Sequence, residues 1–185
     1  FDTRDVELAA DVRARDKAID QMEILINDEA AKLLALRSPT AIDLRLVLSV
    51  IKVASNLERI GDYSKNMAKR TTVLMEMPHV FDKGQGLRRL AREVELMLKD
   101  ALDAYVQRDV KLAEEVIQRD RDVDQMYSGQ FREFLTYMME DPRNITPCMH
   151  LHFIAKNIER MGDHVTSIAE QVIYIVTGDR PTEER

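Results

Sequence analysis

Four pairs of carboxylates recur at a spacing of four residues: Glu58 with Asp62, Glu159 with Asp163, Asp16 with Asp20, and Asp120 with Asp124. On a helix this spacing stacks both side chains on one face, one turn apart. Like charges placed so repel and destabilise an isolated helix, and something has to compensate them. A bound cation is one answer. Oxygen-only ligands suit hard or borderline cations such as Mg²⁺, Mn²⁺, Ca²⁺ or iron and discriminate poorly among them. The other answer is ordinary ion pairing, with Arg59, Arg160 and neighbouring lysines neutralising the acids.

Two of the pairs lie in one phrase that the chain repeats. Asn56-Leu57-Glu58-Arg59-Ile60-Gly61-Asp62 returns as Asn157-Ile158-Glu159-Arg160-Met161-Gly162-Asp163, and the two positions that differ exchange one apolar residue for another. The repeat extends well beyond this phrase. Asp16 overlies Asp120, Asp20-Gln21-Met22 overlies Asp124-Gln125-Met126, and Arg4-Asp5-Val6 overlies Arg108-Asp109-Val110, all at an offset of 104, against 101 for the phrase itself. The chain therefore reads as two units, 1–78 and 79–185. At this offset Phe1 falls on Tyr105, near the end of a helix, so the first unit is expected to lack its opening helix in this chain.

The elements that must position these acids are helices. No Gly or Pro interrupts Asp5 to Leu36, and apolar residues recur at helical spacing through Leu8, Val12, Ile19, Met22, Ile26, Ala30, Leu33 and Leu34. Ser38-Pro39 breaks this helix and restarts the next, with Ser as N-cap and Pro in the first turn. A second helix is expected from about Thr40 to Met75, stopped by Pro78, which makes an antiparallel hairpin. Loop signals between Met77 and Gly86, including His79 and Gly84, mark the boundary between units. A third helix follows over about Gln85 to Gln107, and Asp109 opens a fourth that reaches about Met139. Asp141 to Pro147 is the second hairpin turn, with Thr146 as N-cap and Pro147 at the first helical position. The last helix runs to about Val176 and stops at Gly178; Asp179 to Arg185 read as a solvated tail.

At about 100° per residue, Glu58 and Asp62 share a sector with Leu44, Val47, Leu48 and Ile51, an apolar stripe expected to face the bundle. Asp120 and Asp124 share theirs with Val116, Phe131 and Phe134, and Glu23 continues the face of Asp16 and Asp20. Charges on such faces are costly unless paired or bound to a cation. If the pairs on adjacent antiparallel helices face each other, four or more oxygens converge in each unit. Gly61 and Gly162, inside otherwise good helices, cost about 1 kcal/mol each relative to Ala, which close helix approach or room for an ion would explain. His164 is next to Asp163 but points about 100° away, so packing or surface is its simpler role. His150 and His152 read as surface or core, and the methionines as core filler. The run Lys65 to Arg70 reads as a solvated helix end that could also dock a partner.

Composition removes several classes. Net charge is −6, from 27 Lys+Arg against 33 Asp+Glu, the opposite of a nucleic-acid-binding face. Cys148 is the lone cysteine, which gives no disulfide framework and no thiolate metal motif. No apolar run reaches bilayer length, so a cytoplasmic protein is expected.

The doubled Asn-x-Glu-Arg-x-Gly-Asp motif, the stretch Ser38 to Arg45, and Tyr137-Met138-Met139-Glu140-Asp141 resemble the PhoU family, across essentially the whole chain. The resemblance implies an all-α fold of two repeated antiparallel three-helix bundles. It implies divalent metal ions (iron, manganese, magnesium or zinc) on Glu58, Asp62, Glu159 and Asp163, faced by Asp16, Asp20, Asp120 and Asp124. It implies a non-catalytic cytoplasmic regulator that couples a phosphate ABC transporter, through its PstB-type ATPase, to a PhoR-type sensor histidine kinase. Such a regulator restrains phosphate uptake and the phosphate-starvation response. A homodimer, peripheral to membrane complexes, is implied as well.

Two rival readings stay open. A ferritin-like di-metal protein needs Glu-x-x-His motifs, and the match here, Glu76 to His79, contains Pro78. A metal-dependent hydrolase is conceivable from carboxylates alone, but no nucleophile is paired with a base and no glycine-rich phosphate loop is present.

Overall fold

The computed structural model describes residues 6–77 and 85–179. Phe1, the turn signals Pro78, His79 and Gly84, the unit boundary at 78–79 and the tail beyond Asp179 lie outside the described residues. The described chain forms five α-helices: α1 (Val6–Arg37), α2 (Ala41–Met75), α3 (Gln85–Gln107), α4 (Val110–Glu140) and α5 (Ile145–Thr177). No strand occurs among the described residues, and none of these helices is long and apolar enough to cross a membrane.

Helix ends follow local chemistry, with two departures from the sequence reading. Ser38 does not cap α2. Pro39 denies Ser38 the right-handed helical conformation, and Ser38 takes φ 44°, closing α1 while its N–H reaches Leu34 O at 3.3 Å. The N-cap position falls to Thr40, whose side chain makes no capping bond. At the second hairpin the N-cap is Asn144 rather than Thr146. There Asp141 accepts from Arg143 N at 2.9 Å and starts a short 3₁₀ turn, Pro142–Asn144, which runs directly into α5. Pro147 therefore sits inside the first turn of α5, where a missing N–H leaves no bond unmade. Asp109 behaves as read, accepting from Leu112 N at 3.1 Å. Gly178 closes α5 in the left-handed region at φ 87°.

Helices α3, α4 and α5 pack against one another as a three-helix bundle, α2 lies along α5, and α1 packs on α2. Burial follows this order. Leu90 and Met97 of α3, Val116, Val123 and Phe134 of α4, and Leu151, Val165 and Ile168 of α5 are fully buried, and Val53, Ile60 and Leu74 of α2 join the same core. Helix α1 adds little to it: Ala9, Ala30 and Asp16 are its buried residues among those described. Leu8, Ile19, Met22 and Leu33, expected on its core face, are exposed, as are Leu44 and Leu48 of α2 and Phe131 of α4. For α1 the reason is the number of neighbours. Its counterpart α4 is held between α3 and α5, whereas α1 has α2 on one side.

Candidate metal centre

The motif glycines sit where a neighbouring helix lies within side-chain contact. A Cβ on Gly61 would stand 3.2 Å from Ile19 Cδ1 and 3.5 Å from Asp16 Oδ1. One on Gly162 would stand 3.4 Å from both Asp120 Oδ1 and Val123 Cγ1. Close approach thus accounts for both glycines, and it brings the acids of α1 against those of α2 and the acids of α4 against those of α5. The duplicated phrase builds two such places.

In the first unit a lysine stands between the helices. Lys65, one turn beyond Asp62 on α2, donates to Asp62 Oδ1 at 2.5 Å and also to Asp16 Oδ2 of α1. Asp16 is only 4% exposed, and its other oxygen, Oδ1, is buried without a partner. Hydrogen bonds to Asp16 and then Asp62 hold the ammonium well above the usual lysine range. The bond from Lys65 in turn holds Asp62 below the usual carboxylate range. Glu58 goes the other way. Burial and then Asp62 push it up, Arg59 at 3.5 Å opposes, and Glu23 and Asp20 of α1 push further.

In the second unit the lysine is placed differently: Lys156 of α5 has its ammonium 5.2 Å from the ring of Tyr127 on α4 and pairs with Glu159 of its own helix. Position 65 overlies Thr166, whose hydroxyl donates to Gly162 O at 3.0 Å. Lys156 donates to Glu159 Oε1 at 2.6 Å from the preceding turn, but Glu159 Oε2 is buried and unpartnered. Burial, Glu159 and Asp120 push the Asp163 carboxyl up to about 6, against Lys156, and Asp124 adds to the shift. Burial and Asp124 push Asp120 up in turn, with the Thr166 hydroxyl partly opposing. The four predicted acids of this unit therefore act on one another electrostatically, with Lys156 the opposing charge at Asp163.

Among the described residues no three His, Cys, Asp or Glu side chains are already arranged to hold an ion. The convergence read from sequence is one of helix faces, and the carboxylates would have to close around a cation. A buried carboxylate oxygen has no partner in either unit, Asp16 Oδ1 in the first and Glu159 Oε2 in the second; the chemistry fits that demand in the second, where the paired lysine holds an acid of its own helix. It does not fit in the first, where an ammonium already bridges the two aspartates.

Other residues singled out from sequence lie elsewhere. His164 faces α2: its Nδ1 donates to Asn56 Oδ1 at 2.8 Å and its ring lies 5.7 Å from that of Tyr63. Cys148 is fully buried. Lys65, read from sequence as part of a solvated helix end, is instead one of the neighbouring lysines that neutralise the acids; two signals single it out, its i, i+3 spacing from Asp62 and its alignment with a threonine in the repeat.

A family model described as PhoU domain matches residues 1–71 and 87–172. The chain is 45% identical to a Rhizobium meliloti protein named phosphate-specific transport system accessory protein PhoU homolog, over 98% of this chain and 76% of that one. A Caulobacter vibrioides protein of the same name is 44% identical, over 98% and 79%. Crystal structures of PhoU superpose closely. The protein from Pseudomonas aeruginosa gives a TM-score of 0.90 at 41% identity, covering 96% of this chain and 85% of the other. The phosphate transport system regulatory protein PhoU from Streptococcus pneumoniae gives 0.89 at 29% identity, over 98% and 84%.

Proposed function

The chain belongs to the PhoU family, and from that premise we propose that it is a non-catalytic accessory protein of a phosphate-specific transport system. The observation that carries this reading is similarity over nearly the whole chain to relatives so named, joined to the helical architecture of the solved PhoU proteins. In the finer form of the proposal it is a cytoplasmic regulator, in contact with a PstB-type transporter ATPase and a PhoR-type histidine kinase. It lowers phosphate uptake and the starvation response when phosphate is plentiful. Deleting its gene in phosphate-rich medium is expected to raise phosphate uptake and switch on a starvation-response reporter, both reversed by a plasmid copy. An unchanged reporter and unchanged uptake would remove this reading. The protein is proposed to act as a homodimer, checked by light scattering on the eluting species.

A divalent cation belongs to the same proposal. Glu159 and Asp163 of α5, with Asp120 and Asp124 of α4, would hold it, and the support is the buried unpartnered oxygen of Glu159 among acids pushed up by one another. When bound, the ion supplies positive charge that binds α4 to α5. These residues thereby set the rigidity of the bundle surface that partners meet. Elemental analysis of protein incubated with Fe²⁺, Mn²⁺, Mg²⁺ or Zn²⁺ is expected to find metal that a Glu159→Ala, Asp163→Ala variant loses. Metal-free protein in every case would leave these acids as structural groups.

A further inference from the structure

We propose that Lys65 closes the first carboxylate set to metal, so that the two repeats have diverged: the first carries a built-in cation, the second an exchangeable divalent one. The half concerning the second repeat rests on the metal reading above; the half concerning Lys65 does not. The geometry is specific. The ammonium joins Asp62 of α2 to Asp16 of α1 beside Gly61, where a Cβ would stand 3.5 Å from Asp16 Oδ1. That is the place a cation shared by the two helices would have to take. An ammonium is a compact charge with three donors, and here two of them are engaged. A divalent ion added beside it would meet like charge at a few ångströms in a partly buried setting, where the repulsion is several times its value in water.

The repeat supplies the control. Asp16, Glu58, Gly61 and Asp62 overlie Asp120, Glu159, Gly162 and Asp163, so the ligand types are kept while position 65 changes from Lys to Thr166. A threonine hydroxyl brings no charge and offers an oxygen. Lys156 of the second unit overlies Ser55, pairs with one oxygen of Glu159 from the preceding turn, and reaches α4 only through the ring of Tyr127 at 5.2 Å. Each set keeps one buried oxygen free, but in the first the aspartate that carries it is tied across to Asp62 through a lysine, whereas in the second the lysine pairs within its own helix. The free Oδ1 of Asp16 means that removing Lys65 would expose a ligand set rather than an empty surface. In this arrangement α1 and α2 are held together under all conditions, while the hold of α4 on α5 follows the supply of metal.

The test is Mn²⁺ stoichiometry by equilibrium dialysis and elemental analysis, with helicity measured on each protein. The unaltered chain is expected to hold one ion, and Glu159→Gln with Asp163→Asn to hold none. Adding Lys65→Thr to that double variant is expected to restore one ion, and Thr166→Lys alone to abolish binding. The double variant leaves the first unit intact. If it retains an ion that Asp16→Asn then removes, Lys65 does not exclude metal and the proposal is overturned, even should Lys65→Thr fail to fold. A folded Lys65→Thr protein that gains no ion overturns it equally. An unaltered chain without metal, beside a Lys65→Thr variant that binds one ion, would sink the metal reading of the second unit and uphold the role of Lys65.

Discussion

At the scale of the residue, the two carboxylate sets differ in what compensates them, and pH should reveal it. The Asp163 carboxyl is raised in the fold to about 6 from an ordinary 3.8. Between these values the unfolded chain releases its proton first, so the folded state loses stability as pH rises through the window, and the penalty is complete above about pH 6. Metal-free protein is therefore expected to be more stable near pH 4.5 than at pH 7.5 so far as Asp163 contributes. Asp163→Asn should flatten that part of the profile and raise the midpoint of thermal unfolding at pH 7.5 by about 2–4 °C, the equivalent of about 1 kcal/mol in a chain of this size. An unchanged midpoint in chelator would show that Asp163 carries no such strain. Lys65 predicts the opposite sign. Replacing it by Thr in metal-free protein leaves the buried Asp16 beside Asp62 without their shared donor, which costs about 1–3 kcal/mol in denaturant titration because the lysine and Asp62 are partly exposed.

At the scale of the element, the motif glycines and one arginine decide how helices meet. At Gly162 a Cβ would just reach Asp120 and Val123 of α4, so α5 lies against α4 with no room for a side chain much beyond a methyl. Gly162→Leu should force the pair apart and cost about 1–3 kcal/mol in chemical denaturation, despite the better helix propensity of leucine. Arg119 of α4 donates to Glu93 at 2.7 Å and Asp100 at 2.6 Å, both on α3, from a mostly buried position. Its repeat counterpart Arg15 pairs with Asp11 on its own helix, on the open surface. Arg119→Ala is expected to cost roughly 1–3 kcal/mol because two partly buried acids lose their donor. Arg15→Ala should fall within about 0.5 kcal/mol of the parent. Equal effects at the two positions would mean that the α3–α4 ion pairs contribute nothing special.

At the scale of the whole molecule, the first repeat presents an apolar groove of about 580 Å³ between α1 and α2, lined by Ile26, Leu33, Leu36, Leu46, Val47 and Val50, while a cleft of about 490 Å³ on the second is lined by the polar Asp124, Gln125, Ser128 and Arg132. Val47 and Val50 overlie Cys148 and Leu151, which are fully buried. This 185-residue chain should therefore bind an apolar fluorescent dye in its native state, and Leu33→Gln with Leu36→Gln should remove most of the signal without loss of helicity. Undiminished dye binding would place the apolar surface elsewhere. The sequence by itself determined the five helices, nearly to the residue, because long runs free of Gly and Pro with 3.6-residue periodicity leave no other regular structure open to them. It also determined the duplication and the acidic pairs, since one-turn spacing is a local property of a helix. Which expected core faces are buried was decided only by tertiary packing, because burial depends on how many helices surround a face, and Ile19 and Leu33 are exposed where the counterpart of Ile19, Val123, is enclosed. Packing likewise decided the fate of the acids: a lysine 49 positions along the chain from Asp16 reaches it only once α1 and α2 have met at Gly61.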